Sequence, residues 1–172
     1  MKTMGAKLVK SLKVAVGFVL VAALTFLAVR AYDARRGAPL EPWHTYVPHE
    51  LHAAEIDQVD WRRYLEAEDA IYEEIRANVT QRLDPGERIP SNRYFADSPV
   101  YPGRFPQDWN RSFTLQPDGA PVGAVVLLHG LTDSPYSQRH VAKSYRDHGF
   151  VAVVPRLPGH GTVPAGLTEV AW

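Results

Sequence analysis

The sequence predicts an α/β fold preceded by a single membrane-spanning helix. Three observations lead to this prediction: an uncharged apolar run near the N-terminus, two later runs that are apolar at every position, and a helix pattern between those two runs. A strand without a polar face has to be covered on both sides, which is typical of a parallel sheet between helices. Residues 111–172 are therefore predicted to contain a parallel β-α-β unit.

The composition excludes several classes of protein. The chain has 172 residues, a formal net charge of zero and no cysteine. A neutral chain has no basic field that would attract nucleic acid. Without cysteine there is no disulfide framework, no thiolate nucleophile and no Cys-ligated zinc site. The sequence predicts no cofactor and no nucleic-acid partner, and it leaves the oligomeric state open.

Residues 1–31 are predicted to form an N-terminal tail and a transmembrane anchor. The stretch 14–29 contains no charged residue and is flanked by lysines and arginines. Sixteen helical residues rise roughly 24 Å, and long basic side chains at both ends extend the span towards the bilayer surface. A lysine-rich tail favours the tail inside and the bulk of the chain extracytoplasmic. A cleaved signal peptide and a buried core helix are the alternatives.

Residues 32–58 are predicted to be a linker, since they contain prolines and no sustained periodicity. The stretch His49–His52 (HELH) lacks the spacing of a zinc-binding helix, so we interpret its histidines as solvated. Residues 59–110 are predicted to form an amphipathic helix, over about 59–83, and then an aromatic, proline-rich loop. The helix carboxylates are interpreted as a solvated face; they include Glu66, Glu68, Asp69, Glu73 and Glu74.

Residues 111–172 contain the pattern that is most informative about function. A half-buried strand is predicted from Arg111, and fully apolar strands are predicted at 124–128 and 150–154. Ser134 is expected to cap the helix between the two apolar strands. His129-Gly130-Leu131 therefore lies between the end of a strand and a helix N-terminus, where open α/β sheets bind ligands. A further helix start is predicted at Thr168 and Glu169.

The His-Gly pair suggests a chemical role for the peptide group that follows it. A glycine after a strand end lets the backbone turn sharply, which leaves the N–H of Leu131 free to point into the crevice. A free backbone donor at such a place stabilises the oxyanion that develops during acyl transfer.

The stretch VVLLHGLTDSPYS, followed by GFVAVVPRLPGHGT, resembles the third strand, the next helix and the fourth strand of the α/β-hydrolase superfamily. It is most similar to the esterase, acylglycerol lipase and serine aminopeptidase-like branch. The resemblance covers roughly residues 111–172 and implies a partial α/β-hydrolase fold. It implies the Leu131 N–H as an oxyanion-hole donor, His129 and Gly130 as the oxyanion turn, and a small-molecule ester or amide as substrate.

The same resemblance assigns no proton transfer to the histidines of this region. The imidazole of His129 is expected to be structural, and His160 is expected to organise the loop that follows the fourth strand. His140 and His148, on the predicted helix, are expected to face solvent or to cap it. The proton-transfer base of the family lies further along the polypeptide.

The family's nucleophile lies in a Gly-x-Ser-x-Gly motif after the fifth strand, and this motif does not occur in the sequence. We therefore expect the N-terminal, truncated portion of a membrane-anchored serine hydrolase that is inactive by itself. Without the next strand, 124–128 becomes an open edge. Three alternatives remain open: a membrane-tethered binding module without catalysis, a hydrolase of the aspartate-nucleophile branch, and a protein completed by a second chain.

Overall fold

The structure is a computed structural model that describes residues 2–37 and 39–168, with side chains from residue 11 onward. The chain divides into two compact units, Met1–Pro39 and Leu40–Trp172. Glu169, part of the helix start predicted near the C-terminus, lies outside the described residues; the segment before it, Pro164–Thr168, forms a 3-10 turn.

The first unit is dominated by one helix, α1 (Lys2–Arg35). Its stretch Ser11–Arg35 has 25 residues and is long and apolar enough to cross a membrane, and none of it is buried in the structure. At 1.5 Å per residue this stretch is about 37 Å long, which exceeds a hydrocarbon core of about 30 Å. The helix contains the whole apolar run 14–29 that the sequence singles out.

The second unit begins with residues 40–60, called the arm, which contain short helices and so differ from the predicted linker. Two short helices, α2 (Pro42–Thr45) and α3 (Ala53–Ile56), lie within the region predicted to be unstructured. Trp43 and Tyr46 pack against a buried apolar cluster. The residues of this arm contact positions that are distant in the sequence. A local hydrophobic periodicity does not predict such contacts.

The amphipathic helix is confirmed as α4 (Trp61–Asn78), with Asp60 as its N-cap accepting a hydrogen bond from the Arg63 N–H at 2.8 Å. Ile71 and Ile75 are buried in the cluster that also contains Val79 and Val163. The cluster forms because the apolar side chains recur at three- and four-residue steps and lie on one face.

One carboxylate on α4 does not lie on the solvated face that the sequence predicts. Glu68 is buried, with 3% of its surface exposed. It precedes Ile71 by three residues and Ile75 by seven, so it belongs to the buried stripe. The solvated interpretation is wrong for this residue, because a buried arginine pairs with it.

The sheet is small and mixed, with strand order β1-β3-β2. Strand β1 is Phe113–Leu115, β2 is Gly123–Val126 and β3 is Phe150–Val154. β2 and β3 run parallel, whereas β1 runs antiparallel to β3. The predicted β-α-β unit is present: a 3-10 turn (Pro135–Gln138) and α5 (Arg139–Asp147) connect β2 to β3.

The two faces of the sheet differ in their cover. On one face Phe113, Ala142, Ala152 and Val154 form a buried apolar cluster. On the other face the β2 side of the sheet is open, and Val126 exposes 62% of its surface. Its neighbours on that side are also exposed: Val122, Ala124 and Leu128. The apolar pattern of 124–128 predicts cover on both faces, and the described residues supply it on one.

Candidate functional site

The turn after β2 holds the predicted site residues together. His129 is buried, whereas Gly130 and Leu131 are exposed. The turn is closed by the Asp133 N–H, which donates to the carbonyl of Gly130 at 3.1 Å. The N–H of Leu131 makes no hydrogen bond to any described residue. This peptide group is therefore not engaged in helix or sheet pairing.

The imidazole of His129 joins the ends of the two parallel strands. Its Nε2 accepts a hydrogen bond from the Leu157 N–H at 3.0 Å, so the ring proton resides on Nδ1, which lies 3.0 Å from the Gly130 carbonyl oxygen. Burial lowers the pKa of His129, which favours the neutral ring. Both nitrogens are used for structure, as expected from the resemblance.

His160 holds the loop after β3 against the same turn. Its Nε2 lies 2.5 Å from the Leu131 carbonyl oxygen, and its Nδ1 lies 2.8 Å from the carbonyl oxygen of Pro158. Its ring lies 5.0 Å from that of His129, measured between centroids. Gly161 adopts a φ of 72°, in the left-handed region where glycine is favoured. Through His160, the 157–162 loop is fixed to the Leu131 carbonyl.

The proline-rich loop between α4 and β1 also contacts the 157–162 loop. The Tyr94 hydroxyl donates to the Thr162 carbonyl at 3.1 Å, and an Arg93 nitrogen donates to the Gly161 carbonyl at 3.3 Å. On the other side of the turn, the Ser134 hydroxyl donates to the Asn110 side-chain oxygen at 3.0 Å. The proline-rich loop thus forms one wall of the site.

These contacts enclose a crevice of about 370 Å³ at the carboxyl ends of the parallel strands. Its polar walls include Thr132, Asp133, Ser134 and His160. Hydrogen bonds from Ser137 and the Ser134 N–H hold the pKa of Asp133 below its usual range. An open α/β sheet places its ligand in this position.

A buried ionic cluster below the crevice fixes the arm to the sheet. Arg156, two residues after β3, is 1% exposed. It pairs with both carboxylate oxygens of Glu50 at 2.9 Å and with Glu68 at 2.9 Å. Its guanidinium also donates to the His160 carbonyl at 3.0 Å. The Arg156 cluster, defined as Arg156, Glu50 and Glu68, therefore connects the arm to the 157–162 loop.

The charges of the Arg156 cluster depend on one another. Burial alone would lower the pKa of Arg156, but the adjacent carboxylates raise it, so the guanidinium stays charged. Burial raises the pKa of Glu68, and Arg156 and the Ser112 N–H oppose that shift. Burial also raises the pKa of Tyr64 to about 12, and its hydroxyl donates to the Arg156 carbonyl. Removal of Arg156 leaves two unpaired buried carboxylates.

The structure changes the interpretation of Gly130. Its φ lies outside the left-handed region, and a Cβ built on it would meet no atom within 4 Å. The backbone conformation of the turn therefore does not require glycine at position 130. The sequence-based expectation was that glycine is needed for the sharp turn. The glycine leaves open space beside the Leu131 peptide, which suits the close approach of a ligand.

Sequence reasoning missed the Arg156 cluster. Glu50 lies 106 residues before Arg156, and it sits between two histidines of the HELH stretch. The expectation for the histidines agrees with the structure: His49 has an exposed side chain and lies 2.6 Å from Glu74, and His52 is exposed. One signal was available, because a charged residue two positions after a fully apolar strand needs a partner when that end of the strand is buried.

Comparison with known proteins gives a short local match to a lipase. Over 45 residues the chain is 47% identical to a protein described as thermostable monoacylglycerol lipase, from Bacillus sp. (strain H-257). The match covers 26% of this chain and 18% of the lipase, so it spans less than a fifth of that relative's length. No family model and no solved structure matches the chain. This partial match to a lipase supports a hydrolase relationship.

Proposed function

We propose that the chain is the N-terminal portion of a membrane-anchored serine hydrolase that cleaves carboxylic ester or amide bonds. In this proposal the Leu131 N–H is one donor of the oxyanion hole, and His129 and Gly130 form the turn that presents it. The observation that carries the proposal is this backbone N–H without a partner among the described residues. Leu131 does not line the crevice at the strand ends, but the next residue, Thr132, does.

The contacts around the turn support a preorganised donor. The strand end below is fixed through His129, and the carbonyl of Leu131 is fixed through His160. An oxyanion hole stabilises its transition state because its donors are already oriented before the reaction begins. The local match to a monoacylglycerol lipase agrees with acyl-transfer chemistry.

The nucleophile, the acid and the base belong to further polypeptide in this proposal. In this proposal, the strand that the α/β-hydrolase family counts as its fifth would pair with the open edge of β2. The further polypeptide would also cover the exposed Val126 and Leu128. We expect a Gly-x-Ser-x-Gly motif within roughly 60 codons downstream of codon 172. The helix α1 would anchor the hydrolase in the membrane, with the second unit outside the cytoplasm.

The experiment uses the gene extended past codon 172 and compares Leu131→Pro with Leu131→Ala. Proline removes the N–H, whereas alanine keeps it and trims a side chain that is 71% exposed. We expect Leu131→Pro to lower kcat for a short-chain ester about 10²- to 10³-fold, the loss typical of one oxyanion-hole donor. Leu131→Ala should retain activity within about threefold, with circular dichroism confirming that both variants fold.

Equal activity of the two variants would contradict the assigned role of Leu131. A fluorophosphonate probe tests the reaction class, because it labels an activated serine. Labelling is expected for the extended protein and not for the 172-residue chain. Ester hydrolysis without labelling would favour the aspartate-nucleophile branch, and labelling of the 172-residue chain would contradict the fragment hypothesis.

A further inference from the structure

A second, larger space lies beside the crevice. It is a groove of about 700 Å³ whose walls come from the proline-rich loop and from the turn before α5. Val100, Phe105 and Tyr136 line it, and each exposes between 47% and 54% of its surface. Trp109 lines it as well. A groove of this size, with this lining, has the properties of a small-molecule site.

The groove carries positive charge that the described residues do not neutralise. Arg93 and Arg139 line it, and neither forms an ion pair with a described residue. Arg139 is held over the Tyr136 ring, 3.7 Å from its centroid, and donates to the Tyr136 carbonyl at 2.7 Å. A fixed guanidinium without a carboxylate partner is suited to a carboxylate or a phosphate.

Among the described residues that line the groove, Asp108 is the one carboxylate, and it already accepts hydrogen bonds. Asp108 accepts hydrogen bonds from the backbone and the side chain of Asn110, at 3.0 and 2.8 Å. Arg111, which does not line the groove, lies 3.9 Å from its other oxygen. The charge that remains for a ligand is therefore positive.

The groove is continuous with the proposed catalytic crevice. Arg93 and Asn110 line both spaces, so the two share a boundary. At this boundary Arg93 donates to the Gly161 carbonyl of the loop that His160 holds. A chain lying in the groove would therefore end beside Arg93, next to the crevice.

We propose that this groove binds the hydrocarbon chain of an anionic amphiphile and that Arg93 and Arg139 bind its carboxylate or phosphate head. The inference names the substrate class of the proposed hydrolase as acyl esters of anionic amphiphiles, and in that respect it rests on the proposed function. Binding itself does not depend on catalysis. The apolar part of the wall favours a hydrocarbon chain over a peptide, whose backbone groups would lose their water there without partners; it is formed by Val100, Pro102, Phe105, Pro106 and the Trp109 ring.

The test uses the 172-residue chain in nanodiscs of neutral phosphatidylcholine and a fatty acid with a photoreactive diazirine on its chain. We expect cross-links in 93–111 and 132–147. Hexadecanoate or hexadecyl phosphate should displace the probe at a concentration at least about tenfold lower than hexadecanol, since only the first two carry a charge for the guanidinium groups. The order of the two acids identifies the head group.

Three variants sharpen this test. Arg93→Gln combined with Arg139→Gln should reduce the preference for the acids over hexadecanol at least about fivefold. Phe105→Asp should abolish cross-linking in the groove, and Phe105 is exposed enough for the chain to fold. Arg62→Gln is the control, because it changes an exposed arginine on α4 outside the groove.

Three results would overturn the inference. The first is equal displacement by hexadecanol and by both acids, and the second is cross-linking confined to residues 11–35. The third is competition by a proline-rich or aromatic peptide alone. Failure of the groove proposal is distinguishable from failure of the hydrolase proposal, because cross-linking measures binding without hydrolysis. Probe binding in the groove, together with an extended protein that neither hydrolyses the ester nor reacts with the fluorophosphonate, would retain the groove and contradict the proposed hydrolase.

Discussion

Strands β2 and β3 have similar sequences and different surroundings. Both are apolar along their length and they run parallel to each other. β3 lies between two strands and buries Ala152 and Val154 completely. β2 lies at the edge of the described sheet, and Val126 is largely exposed. An uncovered apolar face of this kind is suited to contact with further residues or with a partner.

The segments that follow the two strands differ in the same way. After β3, Arg156 is buried and paired with Glu50 of the arm and Glu68 of α4, and the 157–162 loop is held by hydrogen bonds. After β2, Gly130 and Leu131 are exposed, and the Leu131 N–H has no partner among the described residues. The segment after β3 is thus held by buried contacts. β2 and the segment after it, in contrast, expose apolar side chains and a backbone N–H without a partner among the described residues.

The largest effect is expected where β3 meets the arm. Arg156→Met should lower the free energy of unfolding by about 3–5 kcal/mol, because it leaves Glu50 and Glu68 as unpaired buried carboxylates. Urea unfolding of the full chain in neutral detergent, followed by tryptophan fluorescence, measures this change.

Two controls accompany the Arg156 variant. Adding Glu50→Gln and Glu68→Gln should recover at least half of the loss, because no buried charge then remains. Arg62→Met removes an exposed ion pair with Glu66 and should change stability by less than about 1 kcal/mol. A change below about 1 kcal/mol for Arg156→Met would show that the cluster does not secure the arm.

Matched valines compare the strands directly. Val154→Ala should cost roughly 2–3 kcal/mol, because the side chain is fully buried and its removal leaves a cavity. Val126→Ala should stay within about 0.5 kcal/mol, because 62% of that residue is exposed. The same urea experiment applies to both. Similar losses at the two positions would mean that β2 is covered in solution.

Matched glycines compare the segments after the strands. Gly161→Ala should destabilise the protein by about 1–2 kcal/mol, since φ is 72° and the new Cβ would lie 3.0 Å from the Asn110 carbonyl oxygen. Gly130→Ala should be neutral or stabilise by up to about 1 kcal/mol. Thermal unfolding by circular dichroism ranks them, and a destabilised Gly130→Ala would contradict the open space described beside this residue.

A pH dependence is expected from His129. Its pKa is lowered by burial in the folded chain, whereas the unfolded chain takes up this proton near pH 6.5, about the reference value. Below that pH the unfolded state binds more protons than the folded state, so the free energy of unfolding falls as pH decreases. The slope reaches at most about 1.4 kcal/mol per pH unit.

The His129 contribution is isolated by variants between pH 7.5 and 5.5. His129→Gln should have the shallower dependence of unfolding free energy on pH, and His140→Gln, at an exposed position, should match the parent chain. Glu68 contributes with the opposite sign, because its pKa is raised, and it is present in all three proteins. Identical slopes for the parent and His129→Gln would contradict the buried neutral imidazole.

The sequence predicts the regular elements well. The period of 3.6 residues locates α4, and the runs without polar residues locate β2 and β3. The end of α4 is less accurate, because the chain leaves the helix after Asn78 into a 3-10 turn before the predicted stop at 83. Local patterns specify elements more reliably than their ends.

Long-range polar contacts could not be predicted in the same way. Glu50 reads as part of a solvated linker, and its burial depends on Arg156, 106 residues away. The arm therefore appears unstructured in the sequence although Trp43 packs on the apolar cluster. For the site, the His-Gly turn was located from the sequence, whereas the hydrogen bonds of His129 and His160 required the fold.

Amide hydrogen exchange of the 172-residue chain, resolved by mass spectrometry, tests most directly whether β2 is an open edge of the sheet. We expect slow exchange in 152–154, which is paired with β1 and lies in the middle of the sheet, and exchange at least about 100-fold faster in Gly123–Val126. In the extended protein both segments should exchange slowly. Equal protection of the two strands in the 172-residue chain would contradict the account.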